Sequence, residues 1–166
     1  GSMVPPGPPP SGPPQRFCPG DCSSSPLALW TFDDCRGLST ALADTAFSSP
    51  ISHPAFRAVS VACVAGIEGA AVKLAGDDDV VYSPDQPDYV FDQGLTVAAW
   101  FKPDRVPGTQ NIVRKRLDGS SSFVLAIDGK KVAFAVKLAG GKTVGVSASG
   151  LGAGKFTHVA ATYDGK

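Results

Sequence analysis

From Leu27 onward the chain alternates short apolar runs with clusters of Gly, Asp, Pro and Ser. Leu27-Ala-Leu-Trp-Thr-Phe32 predicts a first strand. Ala70-Ala-Val-Lys-Leu74 predicts another, followed across the turn Ala75-Gly-Asp-Asp78 by Asp79-Val-Val-Tyr82. Leu95-Thr-Val-Ala-Ala-Trp-Phe101 is long and apolar and stops at Lys102-Pro103, and Asn111-Ile-Val-Arg-Lys115 precedes the turn Asp118-Gly119. Ser122-Phe-Val-Leu-Ala-Ile127 meets Lys131-Val-Ala-Phe-Ala-Val-Lys137 across Asp128-Gly-Lys130, and an Asp-Gly pair between two alternating runs is a strong hairpin signal. Thr143-Val-Gly-Val-Ser147 and Phe156-Thr-His-Val-Ala-Ala-Thr-Tyr163 complete the series. Strands recurring at intervals of about ten residues, with no convincing helical period, predict an all-β antiparallel sandwich or barrel. Residues 38–66, rich in Ala and Ser, are compatible with short strands or a helical turn.

Composition sharpens this picture. Of the 15 acidic residues only Glu68 is a Glu, and the chain holds 19 Gly and 15 Pro. Asp, Gly and Pro favour turns over helix interiors. The formal net charge is zero, which removes the basic surplus that nucleic acid or an anionic membrane requires. No apolar run reaches the roughly 18 residues of a membrane span. Gly1-Ser2-Met3 resembles the remnant of an expression tag, so the lack of a secretory signal carries no weight. Val4–Pro14 (VPPGPPPSGPP) is expected to be extended polyproline II, either a spacer or a ligand for a proline-binding domain. Domain organisation is therefore expected as a tail over 1–26 and a β-sandwich over 27–166. Four cysteines, Cys18, Cys22, Cys35 and Cys63, fit two disulfides in an oxidising compartment, with Cys18–Cys22 and Cys35–Cys63 the favoured pairing. Zinc is the weaker alternative, since no second close pair follows Cys18-Pro-Gly-Asp-Cys22.

Catalytic chemistry finds little support. Glycoside hydrolysis needs two carboxyl groups about 5–9.5 Å apart, and no predicted strand carries carboxylates at i and i+2. Glu68 stands alone among glycines, and Trp100 and Phe101 lie on a strand that is apolar throughout. His158 reads as a structural side chain in a strand, and His53 precedes Pro54 in the unclear segment. No serine sits in a Gly-x-Ser-x-Gly elbow. Gly150-Leu-Gly-Ala-Gly-Lys155 has the wrong spacing for a phosphate loop. Asp77-Asp78-Asp79 is the most pronounced polar feature, because three adjacent carboxylates repel unless solvated or bridged by a cation. Two readings stand: a calcium site, which takes about six to eight oxygens, or a solvated turn with Asp79 as its cap.

Three stretches carry a family resemblance: Leu29-Trp-Thr-Phe-Asp-Asp34; Gly69–Leu74 continuing through Asp78-Asp-Val-Val81 to Leu95–Pro103; and Phe156–Gly165. In this order and spacing they resemble the laminin G-like, concanavalin A-like jelly roll over about residues 27–166. The resemblance implies a jelly-roll sandwich acting as a non-catalytic binding or adhesion module, with a carbohydrate or a protein as ligand. It also implies a secreted or cell-surface, bacterial setting. Folds of this family often hold calcium, which adds Asp33, Asp34 and Asp44 to Asp77, Asp78 and Asp79 as candidate ligands. Trp30, Tyr82, Tyr89 and Phe91 are candidate contact residues, Trp30 being the one expected in the core. The family pattern continues beyond Asp164-Gly165, so C-terminal strands are expected to be missing here. Open strand edges invite strand addition. The alternative function is thus a structural or assembly module completed by a second polypeptide, against the plainer reading that the chain is cut there.

Overall fold

The structure, a computed structural model, describes residues 26–46, 51–76, 78–89, 91, 93–106, 108–115 and 122–166. The proline-rich segment, Cys18, Cys22 and Asp77 lie outside the described residues. The chain divides into two compact units, Gly1–Gln86 and Pro87–Lys166.

Among the described residues of the first unit a 3-10 turn at Asp33–Arg36 precedes five short strands: β1 (Ala41–Leu42), β2 (Ala55–Arg57), β3 (Ala62–Ala65), β4 (Ala70–Lys73) and β5 (Val81–Tyr82). They form a three-stranded sheet in the order β1-β2-β5 and a separate β3–β4 hairpin, both antiparallel. Cys35, Leu42, Ala55 and Ala70 are buried together, with Trp30, Phe32, Val72 and Val81 packed against them. The disulfide Cys35–Cys63 ties the 3-10 turn to β3 across 28 residues, as expected from the sequence.

Two expected strands are corrected. Leu27–Phe32 has no strand character. Among the described residues one main-chain bond links it to the segment that follows β1, from the Thr45 N–H to the Leu29 carbonyl at 2.8 Å. The Asp44 carboxylate takes the Leu29 N–H at 2.9 Å, where a strand would have offered a carbonyl. Phe32, at φ 64°, then turns the chain into the left-handed region, which ends any extended run. The strand expected from Asp79 begins only at Val81, because Asp79 closes the preceding turn.

The second unit contains six strands of seven residues each: β6 (Leu95–Phe101), β7 (Thr109–Lys115), β8 (Ser122–Asp128), β9 (Lys131–Lys137), β10 (Thr143–Ser149) and β11 (Thr157–Tyr163). A four-stranded antiparallel sheet runs β10-β9-β8-β7, and a two-stranded ribbon pairs β11 with β6. Period-two alternation decides the faces. Leu125, Ile127, Val132, Phe134 and Val136 point from the sheet into the core, with Leu151 and Ala161 buried in it and Leu95, Val97, Phe101 and Val159 of the ribbon packed on it. The β8–β9 hairpin turns at Gly129, whose φ of 59° only glycine adopts freely. These are the antiparallel, all-β layers expected of a jelly-roll sandwich.

Candidate functional site

The alternation that fills the core also builds an outer face on the four-stranded sheet. Val124, Ala126 and Asp128 of β8 and Ala133 and Ala135 of β9 share that face. Opposite Ala135 stands Gly145, where a Cβ would come within 2.8 Å of the Phe134 carbonyl. Small side chains therefore leave a shallow depression of about 390 Å³, rimmed by Thr109, Asn111, Arg114 and Asp128. A second hollow of about 190 Å³ continues past Arg114 to Lys137 and Thr143.

Asn111 and Arg114 reach the same rim through a backbone irregularity. Three residues apart on a regular strand, they would face opposite ways. The β7–β8 register shifts between Asn111 and Val113, so the chain bulges at Ile112. Ile112 and Val113 both pack on the core cluster, and Arg114 is returned to the outer face. Alternation in sequence assigns Arg114 to the wrong side; the consecutive apolar pair Ile112-Val113, flanked by polar residues, is the signal that marks the bulge.

The outer face of the ribbon is separate from this groove. Thr96, Ala98 and Trp100 of β6 are exposed beside Thr162, Ala160 and His158 of β11. Trp100 is 55 % exposed, and its ring lies 5.0 Å from that of His158. His158, expected as a structural strand side chain, is thus on the surface with an aromatic neighbour. The candidate contact aromatics are dispersed. Trp30 is half-buried and donates its Nε1–H to the His53 carbonyl at 2.7 Å. Tyr82 is exposed and tilts on Phe56. Tyr89 and Phe91 lie beneath the Lys115 amine, at 5.0 and 5.8 Å.

The candidate metal ligands are occupied with backbone N–H groups. Asp33 accepts from Ala70 at 2.9 Å, an approach that Gly69 permits because a Cβ there would collide with the carboxylate. Asp34 accepts from Ala43 at 2.6 Å. Asp44 accepts from Leu29 and Ala46, both at 2.9 Å, and from His53 at 3.0 Å. Burial pushes the Asp44 carboxyl upward, and those three donors with the His53 side chain outweigh it, so the group sits below the ordinary aspartate range. Asp79 accepts from the Ser60 hydroxyl, Ala75 and Gly76, all of which lower its pKa. Asp78 is exposed in that turn. Among the described residues no three His, Cys, Asp or Glu side chains gather into a metal-holding group.

Sequence reasoning did not foresee the pairing of Asp44 with His53. Both are buried, and the His53 Nδ1 lies 3.1 Å from Asp44 Oδ2. Nothing in local spacing links positions nine apart across an irregular segment. The pair anchors loops around Trp30.

Among the described residues no helix is long and apolar enough to cross a membrane. A family model described as the concanavalin A-like lectin/glucanases superfamily, laminin G type, matches residues 75–166. No curated protein and no solved structure matches the chain.

Proposed function

Because the chain belongs to the concanavalin A-like lectin/glucanases superfamily, whose laminin G-like members are generally non-enzymatic, we propose that it is a non-catalytic binding module of an extracellular protein, with a carbohydrate as its ligand. The observation that carries this reading is the outer face of the four-stranded sheet, a depression of about 390 Å³ with an alanine floor and a polar rim. Ligand sites of proteins are concave, with a few placed polar groups around a largely apolar surface. Asp128 is the single carboxylate on that rim, so the acid–base pair of a glycosidase is lacking among the described residues lining it. The Cys35–Cys63 disulfide supports an oxidising, extracellular setting. An array of neutral and acidic glycans tests the reading. The wild-type chain is expected to retain a defined subset. Ala133→Phe, which fills the floor, should weaken retention of groove ligands roughly tenfold without lowering the melting temperature. An array that stays blank defeats the carbohydrate reading.

A second reading is favoured by one feature. Val146 of β10 pairs with Phe134, a core residue, yet is 67 % exposed on an edge strand. An apolar side chain on the core side of an open edge suits an added strand from a second polypeptide. Gel filtration followed by non-reducing intact mass decides it: a second, shorter chain in the folded peak supports assembly, and a single 166-residue chain sinks it.

A further inference from the structure

The outer face of the β6–β11 ribbon is ordered by its cross-strand register. Thr96 opposes Thr162, Ala98 opposes Ala160, and Trp100 opposes His158. The two threonine hydroxyls lie 3.1 Å apart. Just beyond the strands the Lys102 amine sits 5.1 Å from the centre of the Phe156 ring. The face thus changes character along its length, from hydroxyls through a low alanine step to an indole, an imidazole and a cation. From Thr96 to Trp100 it extends about 13 Å.

This sequence of groups is a poor match for a packed protein partner, since between its two ends it offers nothing larger than alanine methyls. It suits a pyranose. Such a ring has an apolar C–H face and an equatorial rim of hydroxyls. The exposed indole, with the His158 ring tilted beside it at 5.0 Å, supplies a flat apolar surface with a polar handle. The alanine step leaves room beside the indole for the ring to lie flat. The imidazole nitrogens and the threonine hydroxyls offer hydrogen bonds at the two ends. At its Trp100 end this face carries the Lys102 amine, and β6 and β11 themselves contain no Asp or Glu. A ligand carrying a carboxylate complements it.

We infer that the ribbon face is a sugar subsite in which a pyranose stacks on Trp100 and an acidic substituent meets Lys102. The inference rests on the reading of the chain as a carbohydrate-binding module but places the ring away from the four-stranded sheet. An array carrying uronate- and sialate-containing oligosaccharides beside neutral ones, probed with the full chain, tests it. The wild type is expected to favour the acidic set. Trp100→Ala should weaken that binding about tenfold, and Trp100→Phe, which keeps a ring, by less. Lys102→Gln should remove the preference for acidic over neutral sugars. Trp100 is exposed, so thermal melting of each variant should stay near wild type. Retention by Trp100→Ala at wild-type strength, with loss by Ala133→Phe, overturns the ribbon subsite and leaves the module reading standing. Preference of the wild type for neutral sugars overturns the acidic assignment. A blank array from folded protein overturns both the subsite and the carbohydrate reading.

Discussion

The two units solve the same problem, satisfying backbone donors while closing a core, by different means. In Pro87–Lys166 the strands are seven residues long, and β6–β11, β8–β9 and β9–β10 pair in unbroken register over all seven positions. Buried Leu125, Ile127, Phe134 and Val136 form an aliphatic and aromatic core between sheet and ribbon. In Gly1–Gln86 the strands run two to four residues. There side chains carry what ladders carry elsewhere: Asp34, Asp44 and Asp79 accept N–H groups from outside any strand pairing, and Asp33 takes that of Ala70 at the first position of β4. The Arg57 guanidinium donates in the same way to the carbonyls of Val61 and Gly37, at 3.0 and 3.2 Å. The apolar cluster of this unit is small, with Ala55, Ala70 and Cys35 beside Leu42. A unit with little apolar volume to bury depends more on its cross-link and its charged acceptors.

The largest effects should come from attacking each unit at its own support. Leu125, fully buried, is expected to cost about 3–4 kcal/mol when changed to Ala, through lost burial and the cavity left behind. Opening Cys35–Cys63, by reduction or by a double change to Ala, should cost about 3.5 kcal/mol for a link spanning 28 residues. Hydrogen exchange read by mass spectrometry separates the two. Loss of the disulfide should expose the amides of β1–β4 while those of β8 and β9 stay protected, and Leu125→Ala should weaken β8 and β9 protection. Equal loss of protection in both regions after reduction would show that the contrast in construction has no counterpart in stability.

The same contrast explains what could be read from sequence. Leu95–Phe101 and Lys131–Lys137 were legible to the residue, because alternation, turn glycines and burial agree there. Cys35–Cys63 was legible because two cysteines flank an excursion that needs closing. Leu27–Phe32 looks like a strand by its apolar content, yet its partner is a carboxylate 15 residues on, and no periodicity encodes that. The family resemblance, not any local spacing, suggests Asp33 and Asp34 as ligands; in the 3-10 turn each carboxylate accepts its own N–H, from Ala70 and from Ala43, and no pattern in the sequence encodes those partners. In the candidate sites, the groove floor follows from alternation, whereas its Arg114 rim depends on a bulge. The Trp100–His158 contact needs the β6–β11 register, which joins strands 58 positions apart in the chain.

The smaller effect, and the one that sharpens the comparison most, lies at Asp44. An aspartate whose folded pKa is lowered contributes stability that is fully present above its ordinary value of 3.8 and is lost as pH falls through the lowered one. Asp44→Asn keeps the shape but replaces one acceptor oxygen with an NH₂ group facing donors, either the Leu29 and Ala46 N–H groups at Oδ1 or the His53 N–H at Oδ2. It should cost about 2 kcal/mol at neutral pH, since a buried donor loses its partner. The gap between wild type and variant in urea titrations should therefore narrow on acidification between about pH 5 and pH 2, as the wild-type carboxylate takes up its proton. A gap that stays constant across that range would mean the Asp44 charge contributes nothing, and that the first unit is held by its cross-link and packing without help from that acceptor.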